Sequence, residues 1–203
     1  MTTIPIATVL AATALGLGLA RLAIFLALHI VPSEYSIVRH AVSDYGVGPT
    51  RRLASALIWT SAVFWAVLAA ALFLSPLAAG NGVAVWMLVL AGIFTVMPFL
   101  PTDLEGEPAT LIGRLHLVAA VAWFAIAFSC TGDLLRAFQP VAPPAVTVLL
   151  GATRWVALAS LIALVTALLV RPLRPYAFGI SERIYLLAVS VFYLGTAGAL
   201  LLL

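Results

Sequence analysis

The side chains able to move a proton or hold an anion are few in this chain: three histidines, seven carboxylates and ten arginines, with no lysine. They cluster. In the segment 32–46, His40 and Asp44 stand four residues apart, with Ser36 and Ser43 beside them. On a helix, residues three and four apart share a face, and an imidazole beside a carboxylate is an acid–base pair or half of a metal site. The competing reading is a solvated polar face shared with Glu34 and Arg39. A second cluster joins Asp103 to Arg114 and His116. Arginine is long enough to snorkel out of an apolar helix and imidazole is not, so His116 is expected to turn inward beside Asp103.

His40, Asp44, Asp103 and His116 therefore form the candidate catalytic set. Two imidazoles and two carboxylates are also candidate ligands for a divalent metal such as zinc, which would activate a water molecule. Arg21, Arg39, Arg114 and Ser43 are the candidate substrate-binding groups, because a guanidinium grips phosphate or carboxylate. Arg21 and Arg154 lie within apolar runs, where a charge costs at least about 2.5–3.5 kcal/mol. Asp133 is the expected partner of Arg154. Arg21 is expected to reach towards the polar face or a lipid head group. His29 reads as an ordinary interfacial histidine unless it turns towards His40.

The elements that must position these groups follow from composition. The chain is 65% hydrophobic and 8% charged, against roughly 25% charged in soluble domains. Apolar runs at 4–30, 53–74, 83–100, 110–138, 146–170 and 184–203 are each long enough to span a bilayer as a helix. They lack the alternation of a membrane barrel. The expected fold is all-α, a polytopic six-helix bundle in one domain over 1–203. A short interfacial helix over 36–44, ended by Gly46 and Gly48, is expected between the first two spans. The first run is too long for a signal-peptide core and reads as a retained span. Small residues at Ala12, Gly16 and Ala20, with Gly18 beside them, predict close packing of that span. Glu105, Glu107 and Pro108 suit the start of the fourth span.

Six spans place alternate connections on one face. The odd connections hold Arg39, Arg51, Arg52, Arg114, Arg171, Arg174 and Arg183, while the even ones hold only Arg136. The positive-inside rule then predicts both termini outside. Six of the seven acids and all three histidines fall on the odd side. Scattered arginines offer no nucleic-acid patch, and the single cysteine, Cys130, excludes an intrachain disulfide or an all-thiolate metal site.

Ser43-Asp44 within the segment 37–46, Pro101-Thr102-Asp103, and Gly113 to His116 together resemble an uncharacterised bacterial membrane family, domain of unknown function nine-nine-eight. The resemblance covers nearly the whole chain and implies the six-helix layout, without an activity. Ser36 to His40 also looks like the Ser-x-x-x-His element of the alkaline ceramidase and adiponectin-receptor superfamily, zinc hydrolases of the membrane. Those proteins have seven helices and a His-x-x-x-His pair in the last, where this chain has no histidine.

The leading functional expectation is a membrane-embedded enzyme acting on a lipid or isoprenoid through the His/Asp set at one face of a bacterial cytoplasmic membrane. Membrane lipids and a hydrophobic or amphiphilic small molecule are its expected partners. The alternatives are a small transporter or proton-coupled permeation protein, with Arg21 and Arg154 along a hydrated route, and a non-catalytic lipid-sensing or partner-binding protein.

Overall fold

The computed structural model describes residues 5–77, 80–104 and 108–203, and all regular structure among them is helical. Six long helices follow one another: α1 (Ile6–Ile30), α2 (Arg51–Phe73), α3 (Gly80–Val96), α4 (Leu111–Phe138), α5 (Pro144–Leu169) and α6 (Arg174–Leu200). Each is long and apolar enough to cross a membrane, α3 being extended by a 3-10 turn at Met97–Phe99. Leu26, Val63, Val118 and Ile162 are exposed along them, as suits helices whose backbone is satisfied internally and whose outer face meets lipid. The chain is an integral membrane protein. Ile4, expected to start the first span, and Glu105 and Glu107, expected at the start of the fourth, lie outside the described residues.

One boundary differs from expectation in a way that matters. The last span was expected at 184–203, yet α6 begins at Arg174. Pro172 and Pro175 account for the early start, because proline suits the first positions of a helix, where its missing N–H breaks no bond. Glu182 and Arg183 therefore sit about two turns inside a helix, and both are buried.

The connection between α1 and α2 is helical only in short pieces, two 3-10 turns at Val42–Gly46 and Gly48–Thr50. The helical face expected over 36–44 is not formed. Residues 37–39 make a single turn, closed by the His40 amide on the Ser36 carbonyl at 3.0 Å. A nine-residue helix is marginal by itself, and here α6 competes for its carbonyls. The Gly179 amide donates to Val38 at 3.0 Å and Arg183 donates to His40 at 2.8 Å. Gly48, which opens the second turn, has φ of 71°, a conformation that glycine adopts without a Cβ penalty.

Packing centres on α6, the most buried span, which contacts α5, α1, α4 and α2. Its Tyr185 and Tyr193 hydroxyls donate to the α4 carbonyls of Phe124 and Ala127 at 2.6 and 2.7 Å. On α1 the buried stripe is Ala11, Ala14, Gly18, Arg21, Phe25 and Leu28, so the small-residue face differs from the one expected. Ala12 and Ala20 are exposed, and a β-carbon on Gly16 would meet nothing within 4 Å. On Gly18 it would meet Leu194 at 2.7 Å. The three-and-four spacing of the buried residues carries Arg21 into the same packing face.

Candidate functional site

The densest polar constellation lies where the end of α1, the 31–50 connection and α6 meet. Arg183 organises it. Its Nε donates to His29 Nε2 at 2.8 Å, and its Nη1 donates to the carbonyls of His40 and Gly179 at 2.8 and 3.0 Å. Its Nη2 is buried without a hydrogen-bond partner, and its guanidinium carbon lies 5.7 Å from the centre of the Tyr45 ring. His29 Nδ1 is 2.7 Å from the Phe25 carbonyl. A carbonyl only accepts, so Nδ1 carries the proton, and Nε2 is the lone-pair nitrogen that receives Arg183. The neighbouring Glu182 accepts from the Val42 amide at 2.7 Å, and Asp44 accepts from the Ala41 amide at 2.9 Å. Thus two buried carboxylates hold the start of the 3-10 turn while Arg183 holds the His40 carbonyl before it.

His40 is fixed in the opposite tautomer. Its Nδ1 accepts from the Ser36 amide at 2.7 Å, which leaves the proton on Nε2. Tyr35 packs edge-on against His40 and Tyr45 and donates to the Val47 carbonyl at 3.3 Å. Burial, with the charges of Asp44 and Glu34 adding to it, raises the Tyr35 phenol above its ordinary value of 10.0, so the hydroxyl remains a donor. Ser43 is half-buried within the 3-10 turn and Arg39 is exposed.

Asp103 and His116 belong to a different corner, between α3 and α4. Asp103 accepts from the amide and hydroxyl of Thr110, each at 2.8 Å, and Thr110 Oγ1 in turn accepts from the Gly113 amide at 3.0 Å. This is a two-tier cap of α4. Those two bonds from Thr110 hold the Asp103 carboxylate below its usual 3.8, and the charges of Arg114 and His116 add to the effect. The carboxylate packs directly on Gly113, where any β-carbon would overlap it. His116 is buried, and its Nδ1 lies 2.6 Å from the Leu100 carbonyl rather than on Asp103; its Nε2 has no partner. Arg114 is exposed.

Among the described residues, no three histidine, cysteine or carboxylate groups are placed to hold a metal. The four-ligand set of His40, Asp44, Asp103 and His116 is therefore not assembled: the first two are bound into the segment packed on α6, Asp103 into the cap of α4 and His116 onto the Leu100 carbonyl. The arginines are dispersed as well. Arg21 is buried between α1 and α2, with Nε donating to Ser61 at 2.8 Å and the guanidinium 4.5 and 5.2 Å from the ring centres of Phe64 and Trp65. It turns to these groups rather than to the polar face. Arg154 packs on α4 over Phe128 at 5.6 Å. The expected Arg154–Asp133 bridge is absent because Asp133 pairs with Arg136, one turn along its own helix.

A groove of about 280 Å³ opens beside the Arg183 cluster, between α1 and α6. It is lined by Phe25, Leu26, His29, Ile37, Ile180, Arg183, Ile184 and Leu187. Glu182 and Arg183 read in the sequence as connection charges and so are not marked there as site residues. Two prolines within four residues, Pro172 and Pro175, were the available signal, since a helix starting there makes both charges intramembrane.

A family model described as Protein of unknown function (DUF998) matches residues 14–199. No curated protein and no solved structure matches the chain, and the likeness to the ceramidase superfamily finds no support.

Proposed function

Since the chain belongs to the DUF998 family, described as of unknown function, we propose from the geometry that the protein holds an amphiphile at one membrane face. The apolar tail lies in the α1–α6 groove and an oxygen-bearing head group meets Arg183. One observation carries this reading: the groove's polar liners are His29 and Arg183 alone, and Arg183 keeps a buried N–H without an acceptor. A guanidinium with unused donor capacity beside an apolar channel matches an acceptor head joined to a hydrocarbon tail. The reading is tested with a phospholipid bearing a photoreactive acyl chain, incorporated into nanodiscs with the purified protein. Crosslinks are expected on residues 25–37 and 180–187, and filling the groove with Ile184→Trp is expected to suppress them. Labelling spread evenly over all lipid-facing helices, or unchanged in Ile184→Trp, would remove the proposal's support.

A second reading, an enzyme acting on a lipid or isoprenoid, is favoured by His116. Its Nδ1 is tied to a carbonyl while Nε2 remains unpartnered, the arrangement of a positioned proton acceptor. Loss of turnover of a membrane-lipid extract in a folded His116→Gln protein would support it; unchanged lipid composition with the wild-type protein would count against it. The transport reading is less favoured, since Arg21 and Arg154 pack on different helices. From the excess of arginine on the odd connections we place those connections in the cytoplasm, with both termini outside and the bundle in a cytoplasmic membrane.

A further inference from the structure

On the opposite face, where the even connections lie, a second polar arrangement is independent of the α1–α6 groove. Two guanidiniums converge on the bare backbone of Gly132. Measured from where a β-carbon would sit on that glycine, Arg154 Nη2 and Nε lie at 3.6 and 3.7 Å and Arg136 Nη1 at 3.8 Å. Only Asp133 offsets them, and it pairs with Arg136. Arg154 is left with a buried Nε that has no acceptor and with the face of Phe128 beneath its guanidinium. A cleft of about 430 Å³ opens at Arg136, lined by Asp133, Arg136, Ala137 and residues of the two neighbouring connections, Pro76, Leu77, Pro140 and Val141; Arg154 and Gly132 lie outside its lining.

Arg136 is exposed and paired with Asp133 near the end of α4, whereas Arg154 lies about three turns into α5 with its Nε buried, and two guanidiniums this close repel. An uncompensated arginine there calls for a counter-anion or hydrated space. Helix geometry and its pair with Asp133 bring Arg136 beside Gly132, but Arg154 reaches the same glycine from α5, at a residue with no side chain to meet it. We propose that Gly132, Arg136 and Arg154 form a binding site for a phosphate-bearing anion, with the phosphate oxygens over Gly132 between the two guanidiniums. Glycine is suited to the position because it leaves the ligand room to approach. Both a phospholipid head group and soluble phosphate present this chemistry.

The test is a thermal-shift titration of the purified full-length protein in neutral detergent at fixed ionic strength. Its probes are dioctanoyl phosphatidylglycerol, dioctanoyl phosphatidylcholine, inorganic phosphate and chloride. A saturable upward shift with phosphatidylglycerol that exceeds that with phosphatidylcholine identifies a lipid head group as the source. An equal shift with inorganic phosphate identifies a free anion. Either effect is expected to weaken at least about tenfold in Arg154→Gln, as loss of a charge-assisted contact implies, and to persist in Arg171→Gln, an exposed arginine on the other face. Gly132→Leu alters no charge but occupies the space between the guanidiniums, so it tests the geometry even where Arg154→Gln fails to fold; it too is expected to abolish the shift. No saturable shift with any phosphate-bearing probe, or wild-type titration in Gly132→Leu, overturns the site and leaves Arg154 as a snorkelling residue.

Discussion

At the residue scale, the three histidines are each committed by a backbone group. His29 and His116 keep Nδ1–H on carbonyls, and His40 keeps Nδ1 as an acceptor. Arg183 then depends on the His29 tautomer, because only a lone pair on Nε2 receives its Nε–H. Replacing Arg183 by Gln strands that lone pair and the His40 carbonyl. Thermal unfolding in detergent is expected to show a loss of about 1–3 kcal/mol for each buried group left unsatisfied. Asp103 supplies a pH-dependent contribution of known sign. Its folded value lies below the usual 3.8, so its stabilisation is complete above the ordinary carboxylate range and disappears as pH falls through the depressed value. Protection factors at the first amides of α4, taken relative to intrinsic exchange at each pH, are expected to fall on acidification in the wild-type protein. In Asp103→Asn, protection there is expected to be lower from the outset and to show little added dependence on acid.

At the element scale, the 31–50 connection is held down by α6 rather than by its own helical bonds. Gly179 is the contact point: a β-carbon there would lie 2.5 Å from the Ile37 carbonyl oxygen and 2.8 Å from those of Val38 and His40. Backbone atoms on both sides leave little room to give. Gly179→Ala is therefore expected to lift the segment, seen as faster hydrogen exchange over 36–47. Gly151→Ala, on a helix face where a β-carbon meets nothing within 4 Å, is expected to be neutral or stabilising by up to about 1 kcal/mol. Faster exchange over 36–47 in both variants would locate the effect elsewhere. At the other corner, Thr110→Ala removes the N-cap of α4 and is expected to cost about 0.5–2 kcal/mol in thermal unfolding.

At the scale of the whole molecule, six spans put the Arg183 cluster and the Gly132 arginines on opposite faces. In a Cys130→Ser background, cysteines introduced at Arg51 and Arg171 are expected to react with an impermeant maleimide from one side, and a cysteine at Gln139 from the other. Arg51, Arg171 and Gln139 are all exposed, so labelling reads sidedness rather than burial. Reaction of all three from the same side would contradict the six-span arrangement. The same face assignment means that an amphiphile in the α1–α6 groove and an anion at Gly132 occupy different leaflets.

Sequence alone determined the all-α class, the membrane setting and five of the six spans to within a few residues. Those features rest on long runs of apolar side chains, and the transfer energy of such a run is a sum that does not depend on which neighbour it meets. The α6 start escaped because charges near a helix end read as connection unless the proline pair at 172 and 175 is weighed against them. The candidate sites were legible only as an inventory of groups. The sequence marks His116 as a residue needing a partner and offers Asp103 for it, but His116 meets the Leu100 carbonyl and Asp103 takes Thr110, a choice among competing acceptors and donors settled by a few tenths of a nanometre. Only the tertiary structure decided that Arg183 would bind His29, and that Asp133 would take Arg136 and leave Arg154 with Gly132. Hydrogen bonds and charge pairs act over one contact distance, and in an apolar medium each ionisable group takes whichever partner packing brings within that reach.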